Sequence, residues 1–247
     1  MRLVLADSSI LKDSISIISE LVNEAKFRIS KDGLELVAMD PASVAMVIFK
    51  LLSSGFSEYS IDKEHHIALS LGNLKQILKR SGANDTIVLE LSPDNKLLIE
   101  LRGESRRVFS IPIVDFEEKE QKIPNLNFAA TIQLPSTLLN DAIEDAGIVA
   151  EAVTFVAEPE KLSVFAEGDL AKANIEIKAG PATRISLEKP RIKAKYSIEY
   201  LKKMIAGSKL ADTAALSFNQ DYPLQLEYKI IDKLFLAFIL APRVESE

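Results

Sequence analysis

The chain is written twice. Residues 73–91, NLKQILKRSGANDTIVLEL, lie over residues 200–218, YLKKMIAGSKLADTAALSF, without a gap. Leu74 falls on Leu201, Lys75 on Lys202, Ser81 on Ser208, Asp85 on Asp212, Thr86 on Thr213 and Leu89 on Leu216, a shift of 127 positions. The same shift carries Leu97, Ile99, Glu100 and Val108 onto Leu224, Leu226, Glu227 and Phe235. A shift of 128 aligns the earlier parts: Leu11 with Leu139, Ile15 with Ile143, Phe27 with Phe155, Leu34 with Leu162 and Ala38 with Ala166. A register this constant over most of the chain is duplication, and a repeat dictates the architecture before any single motif does. Each half must fold into the same kind of unit.

Within each half the order is a strand, a helix, several strands, a second helix and further strands. Apolar residues recur at helical spacing over 8–22, 72–81, 135–147 and 197–206. Asp7-Ser8, Gly72-Asn73, Ser136 and Ser197 open these segments with the small polar or turn residues that suit N-caps. Alternating runs such as KFRIS, LELVA, IVLEL, KLLIEL, LSVFAE and ANIEIKA read as half-buried strands. Hairpin turns are predicted at Ser30–Gly33, Pro93–Asn95 and Glu158–Glu160. The fold class is therefore α+β: two similar domains, each with antiparallel sheets and two helices. The charged interval DFEEKEQKIPNLNF breaks the pattern where one copy gives way to the next. The expected division is a domain over 1–114, a connector over 115–127 and a second domain over 128–247.

The apolar run Leu234–Leu240 matches Arg107–Ile113 at the end of the first copy, so it reads as a domain-closing strand. It is too short for a membrane span, and no apolar leader precedes the first strand, so neither a membrane nor a signal peptide is expected. The absence of cysteine excludes disulfides and thiolate metal sites and suits a reducing compartment.

Catalytic chemistry is poorly supplied. His65 and His66 are the only histidines, and in a strand they point to opposite faces, which does not chelate one metal. No glycine-rich phosphate loop is present. Glu117, Glu118 and Glu120 cluster only as part of a hydrophilic connector. The chain reads as a binding protein rather than an enzyme, with no cofactor and no metal.

The helix faces carry the charge that matters. Lys75, Gln76, Lys79 and Arg80 lie off the apolar stripe Leu71, Leu74, Ile77 and Leu78. On the fourth helix Lys202 and Lys203 flank the stripe of Tyr200, Leu201, Met204 and Ile205, and on the first Lys12 lies with Ser16 and Ser19. The third helix presents Asp141 and Glu144. A net charge of −6 argues against non-specific coating of nucleic acid, yet leaves room for local basic faces near phosphates.

Five segments, SILKDSISIISELVNEA (9–25), LVAMDPASVAMV (36–47), LKQILKRSG (74–82), PLQLEYKI (223–230) and LAPRVESE (240–247), together resemble the proliferating cell nuclear antigen-type DNA sliding clamps, the archaeal branch above all. The resemblance spans essentially the whole chain. It implies a DNA clamp fold that assembles into a trimeric ring, with helices lining a channel around double-stranded DNA, encircled without regard to sequence. Lys12, Lys75, Lys79, Arg80, Lys202, Lys203 and Lys209 are then candidate channel cations.

By the same resemblance DNA polymerase, clamp loader, flap endonuclease and DNA ligase dock through a short peptide with a glutamine and aromatic anchors. The implied pocket is Met39, Ser43, Val44, Met46, Ile123, Pro124, Pro223, Ile239, Ala241, Pro242 and Val244. The subunit interface is implied at Arg106, Arg107, Phe109 and Ile111 of one chain against Lys172, Asn174, Ile175 and Ile177 of the next. Localisation would be cytoplasmic and nucleoid-associated in an archaeon, nuclear in a eukaryote. Asp141, Glu144 and Glu199 stand where the family is often basic, Ser19 where it often has lysine and Gln121 where the linker often has leucine, while Pro112 removes a ladder donor. A subunit of a heteromeric or checkpoint-type ring is the alternative.

Overall fold

A computed structural model describes residues 1–115 and 121–243. The described chain divides into two compact units. Unit 1 comprises the described residues within Met1–Pro41, Val47–Ile123 and Ile230–Leu236, and unit 2 those within Ala42–Met46, Pro124–Lys229 and from Ala237 onward.

The first copy contains β1 (Arg2–Leu5), α1 (Ser9–Ile18), β2 (Glu24–Ser30), β3 (Gly33–Met39), β4 (Ala45–Leu52) and β5 (Glu58–Ser60). It continues with β6 (His65–Ser70), α2 (Leu71–Leu78), β7 (Thr86–Leu91), β8 (Lys96–Arg102) and β9 (Arg106–Pro112). The second copy runs β10 (Ala130–Pro135), α3 (Ser136–Val149), β11 (Ala152–Glu158), β12 (Lys161–Glu167), β13 (Lys172–Lys178) and β14 (Arg184–Leu187). After these come β15 (Ile192–Ser197), α4 (Ile198–Met204), β16 (Thr213–Phe218), β17 (Leu224–Ile230) and β18 (Leu234–Leu240).

The duplication is visible in the strand order. Unit 1 pairs β5-β1-β7-β8-β9 in one sheet, and β4-β3-β2-β6 lie side by side in another. Unit 2 repeats both orders, as β14-β10-β16-β17-β18 and β13-β12-β11-β15. The neighbouring strands resolved to residue register pair antiparallel, as for Phe27 with Leu36 in the first copy and Phe155 with Val164 in the second. All three predicted turns join hairpins. Asn95 takes a φ of 58° in its turn, a left-handed conformation that asparagine tolerates better than most residues.

Each unit stacks its helix pair on the apolar face of its sheets. Leu11, Ile15, Ile17 and Ile18 of α1 and Leu71, Leu74 and Leu78 of α2 are buried, as are Leu139, Ala142, Ile143 and Ala146 of α3 and Ile198, Leu201 and Met204 of α4. Burying one such large side chain contributes about 1.5–3 kcal/mol, so the stripe, more than local propensity, holds these short helices.

The helix ends differ from expectation in several places: α1, expected to Val22, ends at Ile18, and the cap of α2 is Ser70, whose hydroxyl accepts from the Asn73 N–H, rather than Gly72-Asn73. Ser136 is the first residue of α3 rather than its cap, and its hydroxyl donates to the Ala211 carbonyl at 2.7 Å. The fourth helix, expected to Ala206, stops at Met204 and tightens into a 3-10 turn over Ile205–Lys209. Gly207 lies within that turn. A Cβ there would lie 2.3 Å from the Tyr228 ring, so only glycine lets the turn rest on that buried aromatic.

Candidate interaction surfaces

Three surfaces emerge, each described within its own unit. The first is the outward face of the helix pairs. In unit 1, Lys79 and Arg80 are exposed just beyond α2, Lys12 is half-buried on α1, and Lys75 is ion-paired with Glu20. Lys12, Lys79 and Arg80 form no ion pair among the described residues. In unit 2 the lysines are answered by carboxylates: Lys202 Nζ lies 3.0 Å from Glu144 and Lys203 Nζ 3.1 Å from Glu199. Lys203 also sits 5.3 Å from the centre of the Tyr200 ring. Lys209 is exposed at the end of the 3-10 turn, while Asp141 and Asp145 are exposed on α3.

The second surface lies in unit 2, where Ala42–Met46 meets the chain beyond Ala237. The Ala241 N–H donates to the Val44 carbonyl at 3.0 Å, and Arg243 N–H to the Lys195 carbonyl at 2.7 Å. Ser43 is held at φ 58°. For a residue with a Cβ that left-handed conformation costs about 1–2 kcal/mol. Val44, Ala241 and Pro242 are half-buried here and Ser43 is exposed; elsewhere in unit 2 Pro223 is half-buried and Pro124 exposed. Met46 and Ile239 are buried, at 4% and 7% exposure, so they underlie this surface rather than line it. Met39 is half-buried and Ile123 is 48% exposed, both within unit 1. Val244 lies outside the described residues, as do Glu117, Glu118 and Glu120.

The third surface is a matched pair of sheet edges. β9 ends its sheet in unit 1, and β13 ends its sheet in unit 2. Both have the same burial rhythm, with a half-buried residue alternating with an exposed one and a single buried isoleucine, Ile111 or Ile177, next to last. Phe109 and Ile175 are half-buried, Arg106, Lys172 and Asn174 exposed. Val108 stands 50% exposed on β9.

The arginines of β9 are engaged within their own unit. Arg106 and Arg102 both bind Glu100, with Arg102 Nε 2.8 Å from Oε1. These two guanidiniums, Arg102 first, hold the Glu100 carboxyl at a pKa of about 2. Arg107 is turned onto the buried Asp85 and donates to the Arg80 carbonyl at 2.9 Å.

Several exposed apolar residues escaped the sequence reading, Ile231 at 86% exposure among them. Ile148 near the end of α3 is 83% exposed and Leu170, in the loop before β13, is fully exposed. The only trace of these two in the sequence is that Ile148 lies off the buried stripe and Leu170 stands alone between turn residues.

His65 and His66 take separate carboxylates, Asp62 at 2.8 Å and Glu64 at 2.9 Å. Among the described residues no group of three or more acidic, histidine or cysteine side chains is placed to hold a metal, and no helix is long and apolar enough to cross a membrane.

Comparison with known proteins adds an independent line. The family model described as proliferating cell nuclear antigen, N-terminal domain, matches residues 1–119, and that of the C-terminal domain residues 122–243. The DNA polymerase sliding clamp of Nanoarchaeum equitans is 38% identical, covering 98% of this chain and 99% of its own. DNA polymerase sliding clamp 1 of Thermococcus kodakarensis is 36% identical over 95% of this chain and 94% of its own. The crystal structure of PCNA from the same organism superposes with a TM-score of 0.92 at 28% identity, covering 98% of this chain and 99% of that one.

Proposed function

The chain belongs to the proliferating cell nuclear antigen family, and on that premise we propose that it is a sliding clamp whose copies close, three together, into a ring around duplex DNA. The observation that carries the reading is the pair of unpaired edges, β9 and β13, one in each unit and alike in burial rhythm. A free edge invites another strand. When β9 of one chain pairs with β13 of the next, the contact is heterologous, and such contacts close into a ring if the rotation per step allows. Phe109, Ile111, Ile175 and Ile177 supply the apolar part of that joint. Val108, Ile148 and Leu170 would be covered by the same assembly.

Encirclement replaces tight binding. A duplex threaded through a ring cannot leave sideways, so weak phosphate contacts from lysine and arginine suffice and carry no sequence information. Lys12, Lys75, Lys79 and Arg80 are the proposed contacts, while Lys202, Lys203 and Lys209 are the corresponding cations of unit 2, two of them already paired with carboxylates. The role is non-catalytic: the clamp holds polymerase at the template and raises processivity.

Partner enzymes would dock at the unit 2 surface around Val44, Ala241 and Pro242, with Ser43, Pro124, Pro223 and Val244 contributing and Met46 and Ile239 beneath. Apolar anchors of a partner peptide would supply most of the affinity, and the exposed main chain of the tail can add strand-like hydrogen bonds. DNA polymerase and clamp loader are the first partners expected, flap endonuclease and DNA ligase the next. The connector is proposed over 115–127, around the point where the two family matches meet. Such a ring would work on the chromosome, in the nucleoid of an archaeal cell.

A ring of like chains is preferred to a heteromeric or checkpoint-type ring, because relatives matched over nearly the whole chain are named DNA polymerase sliding clamps. The test is topological. After loading, the clamp should stay on closed circular DNA and run off once the circle is cut. Equal retention on both forms would remove the proposal.

A further inference from the structure

The two helix pairs are not electrostatic equals, although the sequence duplication makes Lys75 and Lys202 equivalent. On the unit 1 helices the one ion pair of the proposed cations among the described residues joins Lys75 to Glu20, leaving Lys12, Lys79 and Arg80 with Asp13 on α1 and Asp7, just before it, within electrostatic reach of Lys12. On the unit 2 helices two of three cations are already bound to carboxylates, and Asp141 and Asp145 remain. α3 itself contains neither lysine nor arginine.

The Lys202 pair is also a fitted one. A Cβ on Gly147 would lie 2.5 Å from Lys202 Cε and 2.7 Å from its Nζ, so the end of the lysine side chain lies across α3 directly over that glycine. Its ammonium then lands on Glu144, one turn earlier on the same helix. Lys202 is the less exposed partner, 38% against 59% for Glu144. The contact therefore draws the lysine down onto α3 and leaves the carboxylate outermost. Lys203 is restrained in turn by Glu199, spaced i,i+4 on α4.

We infer that Glu144 and Glu199 hold Lys202 and Lys203 away from the phosphates, so that duplex DNA is gripped by the unit 1 helices and passes unit 2 with little contact. The inference rests on the sliding-clamp reading and adds an inequality within each chain. Its physical content is counterion release: only a cation that neutralises a phosphate contributes to the salt slope, and one already neutralised by a carboxylate releases nothing. A clamp that grips with half its helices keeps friction low while it slides.

The measurement is the slope of log affinity against log salt for the full chain on a labelled linear duplex, over roughly 50 to 200 mM salt. Lys79→Ala should flatten the slope by about 1 for each phosphate it no longer neutralises. Lys202→Ala should leave it unchanged. Glu144→Gln should steepen it by about 1 for each phosphate that the released lysine reaches, and adding Lys202→Ala to Glu144→Gln should return it to the starting value. That reversal separates a restrained lysine from a general decrease in negative charge.

If Lys202→Ala flattens the slope as much as Lys79→Ala, or if Glu144→Gln leaves it unaltered, the inference is overturned while the clamp reading stands. If none of these substitutions, Lys79→Ala included, alters DNA affinity, the inference is likewise overturned, and the clamp reading falls only if the loaded protein is retained equally on closed circular and cut DNA.

Discussion

The main-chain N–H of Ala241 donates to the carbonyl of Val44 across 3.0 Å, joining the end of β18 to the segment that leads into β4. The bond holds the half-buried Ala241 and Pro242 beside Val44, with Met46 and Ile239 buried in the same unit. A side chain larger than alanine at 241 would stand in the space an incoming aromatic needs. Ala241→Glu should weaken a synthetic peptide bearing a glutamine and two aromatic anchors by about thirty-fold, roughly 2 kcal/mol. Calorimetry measures the affinity and sedimentation the assembly, which should be unchanged. Native-like peptide affinity would move the docking site elsewhere.

The ring joint can be opened from one side. Val108 is 50% exposed on β9, so a carboxylate there is solvated in the free chain and loses that water only where the proposed joint covers β9. Val108→Asp should convert the assembly to single chains at micromolar concentration while the circular dichroism spectrum stays native. An assembly that persists would place the joint off β9.

Asp85 is the anchor of the α2–β9 corner. It is 7% exposed, accepts from Gly82 N–H at 2.9 Å and binds Arg107, whose buried Nε has no partner among the described residues. Removing a buried partner leaves its mate uncompensated, which costs about 3 kcal/mol. Asp85→Ala should lower the urea midpoint of unit 1 accordingly, whereas Asp212→Ala, at the equivalent but exposed position in unit 2, should change stability by less than about 0.5 kcal/mol.

Glu100 makes stability depend on pH. Arg102 and Arg106 lower its pKa from 4.5 to about 2, so the folded state favours the carboxylate. A lowered folded pKa stabilises above the unfolded value and loses that stabilisation as pH falls through the folded one. Glu100→Gln should therefore be less stable than the native chain at neutral pH, and the gap should close between pH 4.5 and about 2. Denaturant midpoints across that range decide it, and a gap independent of pH would show that the arginines do not read the charge.

Much of this was legible in the residues. The repeat register correctly anticipated two copies of one strand order, and most of the apolar stripes named on α2 and α4 are buried, with Ile77 and Tyr200 half-buried at their margins. Both follow from local geometry, since the helical and strand periods decide which side chains share a face. The packing of Gly207 on Tyr228 was not legible, because Tyr228 belongs to β17, distant in sequence. Nor was the burial of Met46 and Ile239, which look like surface anchors in a motif and become supports once the strands on either side of them are in place.

The sequence by itself determined the duplication, the α+β class and the family, because periodicity and register are properties of neighbours along the chain. Only the tertiary structure decided that β9 and β13 are free edges, that Arg107 turns onto Asp85, and that Lys202 lies over Gly147 and meets Glu144. Those are choices of partner between residues distant in sequence. They depend on which surfaces the packed strands and helices bring within a few ångströms, and two copies with matching registers made them differently.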